Sequence, residues 1–191
     1  MKKDLFGEVT RQLLEVAELK YLLLNSAPVI AEIARLVIET LKRGNKIILF
    51  GNGGSAADAQ HIAAEIVGRF TLHNRRPLPA IALTTNTSIL TSIANDYGFD
   101  KVFSRQVQGL VKRGDLVIAI STSGNSPNVL EAVKTARKLG AKTVGFTGLS
   151  GGRLKKMVHI AFCAPSKITA RIQECHITAG HIICELVERV F

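Results

Sequence analysis

His61 and Glu65 stand four residues apart in a stretch, Gly51-Asn-Gly-Gly-Ser-Ala-Ala-Asp-Ala-Gln-His-Ile-Ala-Ala-Glu65, that joins an anion holder to an acid–base or metal pair. An i, i+4 spacing puts the imidazole and the carboxylate on one helix face. The apolar run Lys46–Phe50 before it predicts a buried strand, and Gly51–Gly54 a turn into an alanine-rich helix. Such a turn leaves free backbone N–H groups and the positive end of the helix dipole aimed at one spot, which suits a phosphate. The pattern is neither the Gly-x-Gly-x-x-Gly of dinucleotide binders nor the Lys-bearing phosphate loop. Taken alone, it also fits a plain turn followed by a surface pair.

A second loop of the same kind is Ser121-Thr-Ser-Gly-Asn-Ser126-Pro127. It follows the apolar run Leu116–Ile120 and precedes a predicted helix, with Ser126 expected as cap and Pro127 at the first helical position. Hydroxyls and backbone amides suit a phosphate that must be released after turnover. Two such loops at one sheet edge argue for a phosphorylated ligand. Asn95 and Asp96 lie between the two loops and fit either sugar hydroxyls or a helix end. The last helix carries Gln173, His176 and His181. Gln173 and His181 are about two turns apart, so one face presents both near a site, although not in strict register. Composition and periodicity do not rank His176 against His181 as a proton carrier.

These side chains need elements to hold them. Strands are predicted at about 46–50, 79–84, 115–120, 142–147 and 158–163, and helices at about 55–69, 87–95, 99–111, 126–139 and 168–190. Continuous apolar strands, each followed by a helix, predict an α/β fold with a doubly wound parallel sheet covered on both faces. Ligands in such sheets bind beyond the carboxyl ends of the strands. Before the first strand, the spacing predicts a helix from about Leu5 to Leu24 and a second, capped by Ser26, to about Leu41. The chain reads as a single domain, 1–191. Residues 1–45 are its helical oligomerisation arm, expected to lie outside the alternating core, and 46–191 are the α/β core.

With 191 residues and 47% hydrophobic content, the chain can bury a substantial core. No apolar stretch is read as a membrane span, and the N-terminus lacks a signal-type apolar segment. The expectation is a soluble cytoplasmic protein with no membrane partner. Cys163, Cys175 and Cys184 are odd in number and lack CxxC spacing, which favours reduced thiols. The net charge of +10 comes from scattered pairs such as Arg75-Arg76, Lys112-Arg113, Arg137-Lys138 and Lys155-Lys156, with no interleaved aromatics. That scatter argues against nucleic-acid binding as the main function, and a positive field also suits a phosphorylated substrate.

Taken together, these motifs resemble the sugar isomerase (SIS) domain family, and within it the bacterial sedoheptulose 7-phosphate isomerases. The likeness spans nearly the whole chain and includes Gly51–Ser55, His61-xxx-Glu65, Asn95-Asp96, Phe103-Ser-Arg105, Ser121–Ser126, Thr147-Gly148 with Gly151-Gly152, and Arg171-Ile-Gln173-Glu174. It implies a five-stranded parallel sheet, a homotetramer, and an aldose–ketose isomerase that feeds nucleotide-activated heptose synthesis for lipopolysaccharide core or related glycans. Glu65 and His181 would be the acid–base pair. One zinc per subunit would be held by His61, Glu65, Gln173 and His181. Substrate contacts would come from Asn52, Gly53, Gly54, Ser55, Glu65, Asn95, Asp96, Ser121, Thr122, Ser123, Ser126 and Gln173. The rival within the family is a regulator that binds the replication initiator. It lacks the Glu and His that stand here as Glu65 and His181, so the resemblance favours the enzyme.

Overall fold

The computed structural model describes residues 4–191. Its centre is a parallel sheet built from β1 (Ile47–Gly51), β2 (Ala80–Ala82), β3 (Leu116–Ile120), β4 (Lys142–Thr147) and β5 (Ile160–Cys163), in spatial order β2-β1-β3-β4-β5. Both β1 and β3 are buried along their whole length, as their unbroken apolar runs predict. Strand alternation then divides the core between two faces. Ile47 and Leu49 point into one cluster with Ile118, Ile120, Phe146 and Phe162, while Ile48 and Phe50 point into another with Val117, Ala119 and Val133.

Eight helices cover these faces among the described residues. α1 (Leu5–Leu23), α2 (Ala27–Lys42), α3 (Gly54–Val67) and α8 (Thr169–Glu188) supply the first cluster. α4 (Thr87–Tyr97), α5 (Val102–Leu110), α6 (Pro127–Lys138) and the short α7 (Leu154–Met157) lie against the second. The chain runs from β1 outward to β2, then crosses back to β3 on the other side. The strand order therefore reverses between β1 and β3, and the crevice at their carboxyl ends is the topological switch point.

The N-terminal helices differ from the sequence reading in three ways. First, Ser26 does not cap α2. It sits in helical backbone without a side-chain cap bond, because a 3₁₀ turn, Leu24–Ser26, carries α1 directly into α2. Second, α2 is not outside the core, since Ile30, Ile33, Val37 and Leu41 are buried in the first cluster. Only α1 behaves as an arm: it buries just Leu19 and Leu23 and leaves Phe6 82% and Tyr21 75% exposed. Third, the helical run Leu5–Lys42 is long and apolar enough by length and composition to cross a membrane, contrary to the expectation that no stretch is. Its α2 half owes that apolarity to core packing. The cysteines are free thiols as expected.

Candidate active site

β1 ends at Gly51, and α3 starts three residues later. Gly53 adopts φ 56°, a left-handed conformation that favours glycine. At Gly54 an added Cβ would stand 2.4 Å from Nε2 of Gln173, so the first turn of α3 and the first turns of α8 are in close contact. His61 and Glu65 follow on α3, with His61 Nε2 3.4 Å from Glu65 Oε1. His181 reaches the same spot from α8, its Nε2 2.8 Å from that of His61. Imidazole nitrogens at this distance share one proton, one ring donating and the other accepting. The Phe70 ring lies 5.7 Å from the His181 ring.

His176 is excluded from this group. It is fully buried, and its Nε2–H donates to the Thr147 carbonyl at 3.1 Å. Burial lowers its pKa to about 4 against the raising effect of that bond, so it stays neutral near pH 7. Of the two histidines that composition and periodicity left unranked, His181 is the one that meets His61.

Across the crevice, Ser121 Oγ and Ser126 Oγ lie 2.9 Å apart. Ser126 occupies the N-cap position of α6 with Pro127 next, yet makes no side-chain cap bond; its hydroxyl pairs with Ser121 instead. Ser123 Oγ accepts from the Asn125 N–H at 3.1 Å, and the Thr122 carbonyl accepts from the Gly148 N–H at 2.9 Å. A Cβ at Gly124 would stand 2.3 Å from the Gly151 carbonyl, so the loop Thr147–Gly152 backs the serine loop directly. Ser55 is buried behind Gly51. Asn52 and Asn128 exchange two side-chain amide hydrogen bonds of 2.9 Å, each Nδ2 donating to the other's Oδ1, which ties the β1 loop to the start of α6. The side chain of Asn52 is thus a staple across the switch point.

Asn95 and Asp96 stand apart from these groups. They lie within the last turn of α4, exposed, and Asn95 Nδ2 donates to Asp96 Oδ1 at 2.8 Å.

Sequence reasoning missed four residues. Asp58 is one turn before His61, and its Oδ2 is buried without a partner. Desolvation raises its pKa to about 6, against a lowering contribution from His61. The 58/61/65 spacing on one helix face was the available signal. Asn128, Arg75 and Glu188 left no such signal, because their partners are distant in the chain. The Glu188 carboxylate accepts from the N–H groups of Phe70, Thr71 and Leu72, from the Thr71 hydroxyl and from Arg75 Nε. Arg75 also donates to the Glu65 carbonyl at 2.9 Å. Glu188 therefore holds the loop that touches both His181 and Glu65.

Two imidazoles, a carboxylate and a nearby amide are donor types acceptable to zinc. Among the described residues, however, no group of His, Cys, Asp and Glu side chains stands in a ready ligand arrangement. The imidazole nitrogens are at hydrogen-bond distance, closer than the roughly 3.3 Å that separates two nitrogens on a tetrahedral zinc. The residues suit the ion by type and neighbourhood, with the rings drawn together as a hydrogen-bonded pair.

Comparison with known proteins gives a consistent result. The SIS domain family profile matches residues 15–148. A phosphoheptose isomerase of Aquifex aeolicus (strain VF5) is 60% identical over 161 residues, 84% of each chain. One from Geobacter sulfurreducens (strain ATCC 51573 / DSM 12127 / PCA) is 55% identical over 179 residues, 94% of this chain and 92% of the relative. Among solved structures, phosphoheptose isomerase GmhA from Neisseria gonorrhoeae superposes with a TM-score of 0.92 at 42% identity, covering 97% of this chain and 99% of that one. A phosphoheptose isomerase from Francisella tularensis gives 0.93 at 34% identity, covering 96% and 98%.

Proposed function

The chain belongs to the SIS domain family and, within it, to the phosphoheptose isomerases; from that premise we propose that it interconverts sedoheptulose 7-phosphate and D-glycero-D-manno-heptose 7-phosphate. One observation carries the mechanism: Glu65, His61 and His181 converge on the helix whose N-terminus opens at the switch point. The loops Gly51–Ser55 and Ser121–Ser126 flank that crevice and supply amides and hydroxyls for the phosphate.

Aldose–ketose isomerisation passes through an enediol. Glu65 takes a proton from C1 of the ketose while O2 gains one, which gives the enediol. His181 takes the proton from O1 and supplies the one at O2. Return of a proton from Glu65 to C2 completes the aldose. Phe70 packs on one side of His181 and helps fix the ring. In this reading His61, Glu65, His181 and Gln173 hold one zinc per subunit. Bound there, the ion supplies Lewis-acid stabilisation of developing oxygen charge. Glu65 would then serve as both ligand and base, and a loosely held carboxylate reconciles the two roles. Among the described residues Asn95 and Asp96 hydrogen-bond, by their side chains, only to each other, and in this reading they act on substrate or across a subunit boundary.

The exposed apolar side of α1 supports a homotetramer, as does a groove of about 390 Å³ walled by Leu23, Ile30, Ile182 and Leu186. The reaction belongs in the cytoplasm, at the first step of nucleotide-activated heptose synthesis. The initiator-binding alternative is disfavoured by the presence of both Glu65 and His181 and by the isomerase names of the relatives. The test is to incubate the protein with sedoheptulose 7-phosphate and follow formation of the aldose. Absence of conversion, or equal conversion of unphosphorylated sedoheptulose, would overturn the assignment.

A further inference from the structure

The positive charge of this chain is not spread evenly. Residues 100–159 hold eleven of the 25 Lys and Arg but only three of the 15 Asp and Glu, so they carry +8 of the net +10. Of those acids, Asp115 is buried against Lys46 at 2.6 Å and Glu131 is paired with Lys101. Lys112, Arg113, Arg137, Lys138, Lys142 and Lys156 are all exposed, and none is in an ion pair among the described residues. The fold gathers these residues, although the sequence scatters them. Arg113 lies along Gly140, Lys142 N donates to the Asp115 carbonyl at 3.0 Å, and Arg137 Nη1 donates to the Met157 carbonyl at 2.8 Å. They form one stripe at the amino ends of β3, β4 and β5.

This is the opposite edge of the sheet from the candidate active site. A five-residue strand is about 17 Å long, roughly two Debye lengths at physiological salt, so the stripe contributes little to holding a sugar phosphate at the other edge. We propose that this amino-end stripe is a docking surface for the phosphodiester backbone of single-stranded RNA, bound without regard to sequence. Unopposed cations at successive strand ends match a chain of phosphates. The stripe follows the twist of the sheet, about 20–25° per strand, which suits a flexible strand better than a straight duplex. Leu139, at 37%, is the one large apolar side chain substantially exposed between Lys112 and Lys142 among the described residues, so the surface offers little to acyl chains.

The experiment measures binding of a short fluorescent single-stranded RNA by the full chain over a salt series. Each phosphate neutralised contributes about −0.7 to the slope of log K against log salt. Replacing Arg113, Lys138 and Lys142 together by Gln should flatten the slope by about 2 and leave isomerase turnover unchanged. Replacing Arg35, Arg69 and Lys167 by Gln removes the same charge elsewhere and should preserve the wild-type slope. An unchanged slope in the stripe variant, or equal flattening in the control, would overturn the proposal. So would tighter binding to duplex DNA, or binding to phosphatidylserine vesicles but not to RNA.

Discussion

Replacing Glu188 by Gln tests whether one carboxylate organises the loop beside the proposed catalytic pair. Glu188 is 3% exposed and accepts five hydrogen bonds. Oε2 takes those from Thr71 N, Thr71 Oγ1 and Leu72 N, and Oε1 those from Phe70 N and Arg75 Nε. A glutamine keeps one oxygen. In its better orientation it satisfies the three Oε2 donors and turns its NH₂ toward Phe70 N–H and Arg75 Nε–H. Two buried donors left facing a donor cost about 1–3 kcal/mol each, so the expected loss is about 2–6 kcal/mol. A typical domain has about 5–15 kcal/mol to lose, so the variant should still fold at low temperature. Burial alone would push the Glu188 pKa up, but the N–H groups of Thr71, Phe70 and Leu72 outweigh it and hold the group at about 2, below its ordinary 4.5. A depressed folded pKa stabilises the fold above the unfolded value. The wild-type advantage should therefore be complete above about pH 4.5 and fade as pH falls toward 2. Urea unfolding of both proteins across that range, at one protomer concentration, measures the difference. Turnover should also fall, because the released loop touches His181 through Phe70 and Glu65 through Arg75. A loss below about 1 kcal/mol at neutral pH, or a difference that does not shrink in acid, would refute the reasoning.

Glu65→Gln and His181→Gln should each lower turnover by at least about 10²-fold with the fold intact; near-normal turnover of His181→Gln beside an inactive His176→Gln would reverse the choice of histidine. Ser123→Ala should raise KM about 2- to 12-fold with kcat little changed, the equivalent of one hydrogen bond of about 0.5–1.5 kcal/mol, and a kcat effect of that size with unchanged KM would contradict a binding role. Elemental analysis should find zinc near one per subunit and chelation should lower activity; full activity after complete metal removal would leave Glu65 and His181 working alone. Deleting the chain before Asn25 removes α1 but spares the core helix α2, and it should dissociate or precipitate the assembly; a stable, active monomer in sedimentation would show that α1 is an accessory.

What could be read in advance depended on how local each signal was. The five strands were legible because Ile47–Phe50 and Leu116–Ile120 are continuous apolar runs buried on both faces. β2 shrank to three residues at the sheet edge, where Ile81 is 38% exposed and pairing comes from one side only. The four-residue α7 is too short to carry a periodic pattern. The position of α2 was misjudged because order along the chain does not give the layer an element joins. The His61–Glu65 pair was legible because it lies within one helix. Its meeting with His181 followed only from the family resemblance, since 120 residues separate the partners and no local periodicity links them. The Ser126 hydroxyl illustrates the same limit: its position was read correctly, but a residue across the loop took its bond.

The site finally depends on a small residue whose role is visible only in three dimensions. Gly180 precedes His181 on α8, and a Cβ there would stand 2.7 Å from Ile62 Cδ1, beside His61 on α3. Because that Cβ is missing, the two helices approach closely enough for their imidazoles to meet. At the start of the same two helices, Gly54 lets Gln173 close over the β1 loop. Glycines at two levels of one helix pair thus set both the spacing of the His61 and His181 rings and the contact of α8 with the β1 loop. The chemistry proposed for His61, Glu65 and His181 needs only residues of common type; what joins them is the close packing of α3 on α8, with the loop that Glu188 holds closing the far end.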